Sequence, residues 1–266
     1  MEKLSSILAV VPEGGAKGVL VDKVCRLVQQ SGARVELFLT APSDYFAIAG
    51  RCAGMACGAQ VGFTMYDSVT PMSEAILGRA AEVRADLIVA ARGQFPLEHC
   101  PVPLLLLGKA IWSQEPRFAA AIDVAERDSE MLARGILHIA GFLCQKLVAH
   151  LDILYSEREQ DDEPVKMERA VKLARLVREY RVGCERLQVF NGLPEETLPP
   201  LIAARHYDVV VGGSVARHQT LLSTLHSISK KLMSSTEGDV LIVTPAPEPV
   251  AAHPLSSDRE QLAYQP

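Results

Sequence analysis

DVVVGGSVARHQTLLSTLHSISKKLMSSTEGDVLIV, residues 208–243, reads as an apolar strand, a loop of small residues, an amphipathic helix and a second apolar strand. That order puts a loop beyond the carboxyl end of a strand and ahead of a helix N-terminus. Open parallel sheets take up ligands at this place, because unpaired backbone N–H groups and the helix dipole face outward there.

The same alternation continues upstream. Residues 118–124 form an apolar run, and residues 128–148 carry Leu132, Ile136, Ile139, Leu143 and Leu147 at helical spacing on one face. A strand at 150–155, an acidic loop at 157–163, a helix at 165–180 and a strand at 187–190 follow. Asn191-Gly192-Leu193-Pro194 is a turn, and residues 195–206 read as a helix whose start Pro199 and Pro200 either delay or kink. The first half of the chain repeats the plan, with strands at 7–11, 34–40, 61–66, 86–90 and 102–107 and helices at 18–30 and 72–84. Residues 43–58, rich in small side chains, are a helix or an irregular segment. Strands alternating with helices predict an α/β fold with a parallel sheet covered on both faces, here as a tandem repeat. Residues 91–101 leave no room for the loop and helix found between the last two strands of the second half, so the first copy is shortened.

Composition narrows the function. The chain has 266 residues, 48% hydrophobic content and a net charge of −5, with no basic excess to suggest general nucleic-acid binding. Its apolar runs are strand-sized, too brief for a signal peptide or a membrane span, which predicts a cytoplasmic protein. Cysteines 25, 52, 57, 100, 144 and 184 are scattered through apolar surroundings, so reduced, buried thiols are expected. Cys52 and Cys57, the near pair, sit about 140° apart on a helix, poorly placed to share a metal, and neither zinc nor a redox site is expected. Trp112 is expected to pack between the halves.

Residues 208–243 also resemble the C-terminal half of the universal stress protein domain, whose nucleotide-binding members carry G-x2-G-x9-G-[S/T] between such strands. On that spacing Gly213 takes the first glycine, Ala216 the second, His226 the third and Ser227 the hydroxyl. The resemblance implies two doubly wound parallel five-stranded sheets, each of order 3-2-1-4-5, associated through their last strands in a pseudo-twofold arrangement. It divides the chain into a degenerate domain at 1–108 that lacks the phosphate loop and last helix, a linker at 109–116, a second domain at 117–246 and a mobile proline-rich tail at 247–266.

The resemblance implies a site in the second half. Asp123 matches an aspartate placed against adenosine, and a carboxylate at a strand's carboxyl end can accept ribose hydroxyls. Gly212 and Gly213 permit close backbone approach, Ser214 and Ser227 offer hydroxyls, and Arg217 and His226 lie in the same stretch. ATP or AMP is therefore the candidate ligand of the second domain, with no cofactor fixed. In the first half, Pro12 stands where many members carry the aspartate. Against tight nucleotide binding, Ala216 and His226 bring a Cβ where glycine is usual, and Leu221, Leu225, Ile228 and Leu232 keep helical spacing straight through His226.

The function expected is a non-catalytic cytoplasmic stress-response sensor or adaptor, with a small ligand in the second domain. A nucleotide-binding protein with slow ATP hydrolysis, and a protein-interaction module with a closed ligand site, remain as alternatives. No nucleophile elbow, metal-ligand spacing or P-loop lysine argues for an enzyme. The two domains are expected to pair within the chain, with a second copy or an unknown protein as further candidate partners, and with no nucleic acid or membrane.

Overall fold

Short apolar runs become strands and the amphipathic segments between them become helices in the computed structural model, which describes residues 3–14, 17–55, 60–93, 100–124, 127–157, 161–180, 184–213 and 236–244. The first half runs β1 (Ser6–Val11), α1 (Lys17–Ser31), β2 (Arg34–Leu39), α2 (Tyr45–Met55), β3 (Val61–Met65), α3 (Met72–Glu82), β4 (Leu87–Ala91) and β5 (Leu104–Leu107). The second half runs β6 (Arg117–Ile122), α4 (Arg127–Leu147), β7 (His150–Glu157), α5 (Glu163–Glu179), β8 (Cys184–Asn191), α6 (Pro194–Arg205), β9 (Val209–Gly213) and β10 (Asp239–Val243). The ambiguous small-residue segment is helical over α2. Helix α6 starts ahead of Pro199 and Pro200 and contains both.

The repeat is visible residue by residue. Arg84 and His206, each just before a fourth strand, take left-handed φ of 49° and 51°. Asp86 and Asp208 follow at equivalent places and tie down the start of each first strand. Asp86 Oδ2 accepts the N–H groups of Ser5 and Ser6 at 2.7 and 3.0 Å. Asp208 Oδ2 accepts the N–H of Arg117 at 2.9 Å and the Ser113 hydroxyl at 3.2 Å.

The strands form one sheet in the order β3-β2-β1-β4-β5-β10-β9-β6-β7-β8. Each half keeps 3-2-1-4-5, but the expectation of two sheets is corrected to a single mixed sheet of ten strands. It is parallel throughout except where β5 and β10 pair antiparallel, Leu106 opposite Val240 and Leu104 opposite Ile242. The reason is the cost of an open edge: β5 and β10 are apolar and buried, and pairing them satisfies backbone groups that a separate five-stranded sheet would leave exposed.

One face of the sheet carries α1, α2, α4 and α5 over a core that is continuous across the junction, from Ile7 and Leu105 to Leu241 and Tyr155. On the other face, α3 (Ile76, Ala80) and α6 (Leu198, Ile202) cover two separate clusters. The five apolar residues assigned to one face of α4 are all buried.

A polar cluster locks the halves together. Asp239, fully buried at the start of β10, receives Lys23 Nζ from α1 at 2.7 and 2.8 Å, the Gly108 N–H at 2.7 Å and the Trp112 Nε1–H at 2.7 Å. Burial pushes the Asp239 carboxyl up, opposed by Lys23 and the two N–H donors. Trp112 also lies under the Lys23 ammonium, 5.5 Å from the ring centroid. Gly108 has to be glycine, since a Cβ there would run into the Glu237 carbonyl oxygen and lie 3.0 Å from that of Gly238. The Arg26 guanidinium holds the carbonyls of Ser113 and Gln114 at 2.6 and 2.5 Å, pinning the connection between β5 and β6.

Candidate functional site

The strand order of the second half reverses between β9 and β6, and three of the candidate residues lie at the carboxyl ends of these strands. Ala120 lies beside Val211 in the parallel pairing. Continuing that register brings Ile122 beside Gly213, with Asp123 one residue beyond. The structure therefore brings Asp123, Gly212 and Gly213 together. Ser214, Arg217, His226 and Ser227 lie outside the described residues, as do Ala216 and the tail at 247–266.

Asp123 is exposed, and its Oδ2 accepts the Ser129 hydroxyl from the first turn of α4 at 3.3 Å. Gly213 is explained by packing. A Cβ there would fall 2.5 Å from Leu132 Cγ and 2.8 Å from Cδ1, with Cδ2 nearer still. Leu132 of α4 thus fills the space over the end of β9, and the glycine serves the close approach of helix to sheet. Gly135, one turn further along α4, lies against Val243 in the same way, a Cβ there being 3.3 Å from Cγ1.

Sequence reasoning missed the other side of this edge. Tyr155, beside Ile122 in the sheet, is buried, and Arg169 of α5 acts on its phenol. Burial raises its phenol, against the lowering influence of Arg169. Arg169 pairs with Asp161. Lys172, three residues along α5, donates to the Val124 carbonyl at 3.3 Å and pairs with Glu130 at 2.8 Å. Arg134 bridges Glu130 and Glu179 at 3.0 and 2.7 Å. Lys172, then Arg134, hold the Glu130 carboxyl below its ordinary range. The only signal in the sequence was the three-residue spacing of Arg169 and Lys172, which puts two cations on one face of α5. The arrangement offers a carboxylate and backbone groups to hydroxyls, and two cations, each already matched by an acid, to an anion.

The corresponding edge of the first half is occupied. Pro12 is buried beyond β1. Residues 92–103 connect β4 to β5, whereas residues 214–238 connect β9 to β10. Arg92, just past β4, donates to the carbonyls of Thr236 at 2.7 Å and of Gly238. The turn that leads into β10 therefore sits at the carboxyl end of the first half.

No helix among the described residues is long and apolar enough to cross a membrane, and none of them form a group of three or more metal-ligating side chains. No protein-family model matches the sequence, and no curated protein matches it either. Solved structures do match. A functionally unknown protein from Pseudomonas aeruginosa PAO1 is 19% identical over 92% of this chain and 94% of its own, with a TM-score of 0.76. A candidate universal stress protein from Pseudomonas aeruginosa UCBPP-PA14 is 19% identical over 92% and 95%, with a TM-score of 0.77. A universal stress protein from Archaeoglobus fulgidus DSM 4304 is 14% identical over 92% and 97%, with a TM-score of 0.64. At these identities the likeness is one of fold, and the chain accordingly has the tandem universal stress protein fold.

Proposed function

We propose that the chain is a non-catalytic, cytoplasmic stress-response sensor or adaptor in which the first half is a structural partner and the second half carries the ligand edge. The observation that carries this reading is the asymmetry of the two edges. Arg92 and the Thr236–Gly238 carbonyls occupy the first, while Asp123 stands exposed at the strand reversal of the second. An adenylate fits the chemistry of that edge, with Asp123 on the ribose hydroxyls and the backbone beyond β9 toward phosphate. The test is mass spectrometry of what freshly purified protein releases on denaturation, with titration calorimetry against ATP and AMP. Recovery of an adenylate, lost on Asp123→Ala, is the expected result. Empty protein that gives no heat would discard the ligand role.

Leu132 favours a second reading. Its side chain over Gly213 accounts for that glycine without any ligand, which suits an interaction module with a closed site. Under that reading Asp123→Ala leaves ligand titrations flat in both proteins.

A further inference from the structure

The amino ends of the strands, opposite the ligand edge, carry different charges in the two halves. Leu8, Glu36 and Gly62 lie side by side across β1, β2 and β3, and Ala119, Asp152 and Arg186 hold the same places across β6, β7 and β8. The match extends outward. Ser6 corresponds to Arg117, two residues before Leu8 and Ala119, and Thr64 corresponds to Gln188, two residues after Gly62 and Arg186. Val83 corresponds to Arg205, each directly ahead of the left-handed residue that precedes a fourth strand.

In the first half these positions form a closed set. Glu36 Oε1 accepts the Thr64 hydroxyl and the Nε and Nη2 groups of Arg79, the latter at 3.2 and 2.7 Å, and Arg79 also pairs with Glu82 at 2.8 Å. The Glu36 carboxylate fills the space that a side chain at Gly62 would need. Arg34 donates to the Ser6 hydroxyl at 3.2 Å and to the Val83 carbonyl at 2.6 Å. Two cations meet two acids there, and their donors are taken up.

The second half sets three arginines around one acid. Ala119 and Leu154 belong to the cluster under α6, and alternation along the strands puts Arg117, Asp152, Arg186 and Gln188 on that same face. Asp152 is buried, and its Oδ2 accepts the Tyr207 hydroxyl at 2.8 Å. Arg117 Nη2 and Arg205 Nη1 stand 3.7 and 3.9 Å from that oxygen, beyond hydrogen-bond range. Arg186 is exposed and makes no ion pair or side-chain hydrogen bond among the described residues. Arg205 Nη1 and Gln188 Nε2, both donors, are buried without a hydrogen-bond partner. The Arg117 and Arg205 side chains remain 43% and 31% exposed, so a solute can reach them. Two acids flank the group but are engaged elsewhere: Glu115 pairs with His150 at 3.2 Å, and Asp208 accepts the Ser113 hydroxyl and the Arg117 N–H.

We propose that Arg117, Arg186 and Arg205 form a binding site for a small dianionic oxyanion of the phosphate or sulfate class. Guanidinium groups present paired N–H donors that match the oxygens of a tetrahedral anion. Such an ion supplies the acceptors that Asp152 alone cannot, and its two charges offset cations that the chain leaves in excess. The site lies at the far end of the strands from Asp123 and is independent of whatever the ligand edge binds.

The experiment titrates the full-length chain with inorganic phosphate by calorimetry and follows the thermal midpoint, with sodium chloride holding the ionic strength constant. Expected are saturable binding and a rise in midpoint that chloride does not give. Arg186→Gln, which removes an exposed side chain with no partner in the fold, is expected to weaken phosphate at least tenfold, and Arg205→Gln to do the same. Absence of saturable heat would overturn the proposal, as would equal affinity in the unaltered chain and Arg186→Gln. Loss of binding in Lys172→Gln with Arg186→Gln unaffected would also overturn it, because Lys172 stands at the carboxyl end of the strands.

Discussion

At Asp239 a single buried carboxylate is met by one cation and two neutral N–H donors, which couples α1, the segment after β5 and β10. Removing one member of a buried pair strands the other, at a cost of about 3–5 kcal/mol. Lys23→Met is therefore expected to lower the urea midpoint far more than Trp112→Phe, which deletes one hydrogen bond to a charged group at about 1.5–3 kcal/mol. Equal losses in the two denaturation curves would contradict this assignment. Gly213→Ala forces a methyl onto Leu132, an overpacking worth about 1–3 kcal/mol. Combined with Leu132→Ala it is expected to cost clearly less than the sum of the two single changes, and simple additivity in the double-mutant cycle would refute the contact. Some of this was legible in the sequence. Trp112 announced itself as the one tryptophan in a short connection, and Asp123 as the polar residue ending an apolar run. Lys23 and Asp239 are 216 residues apart, and neither breaks its local pattern: Asp239 reads as the first residue of a strand and Lys23 as a polar position on a helix.

Element by element, strands were easier to read than helix ends, since an apolar run bounded by turn residues leaves little choice, whereas the small residues of α2 fit a helix or a loop equally well. Helix α4 declared itself through five apolar residues on one face, and what lies opposite that face decides its chemistry. Glu130 there is lowered by Lys172 and Arg134 on the surface between α4 and α5. A carboxyl held below its unfolded value of about 4.3 contributes stability that is complete above that pH and lost as pH falls through the folded value. Glu130→Gln is thus expected to lower the urea midpoint at neutral pH and to make no difference in acid below the folded value. A gap that persisted unchanged into acid would mean that the contribution comes from shape and not from charge.

Over the whole molecule, the continuous core beneath α1 and α4 and the β5–β10 pairing make the halves one folding unit. Denaturation followed by Trp112 fluorescence and by far-ultraviolet circular dichroism should give coincident transitions, and two separated transitions would show the halves to be independent. Residues 116–246 alone lose the strand that covers β10. They are expected to self-associate, and a soluble monomer as stable as the full chain would exclude the structural role given to the first half. The joining of the halves into one sheet was not legible from local pattern, because an apolar edge strand that pairs in the same chain looks like any central strand. It took the family resemblance to suggest association through the last strands, and the structure to show that the two sheets are one. The placement of Arg92 against the carbonyls of Thr236 and Gly238 has a further consequence. A protein built from two equivalent ligand edges can titrate cooperatively, one occupied edge altering its twin. Here the chain stops one edge with its own backbone, so under the proposed function the ligand would meet a single class of site per molecule. Its saturation curve would be hyperbolic with a Hill coefficient near one, so it would track ligand concentration in proportion and not as a threshold.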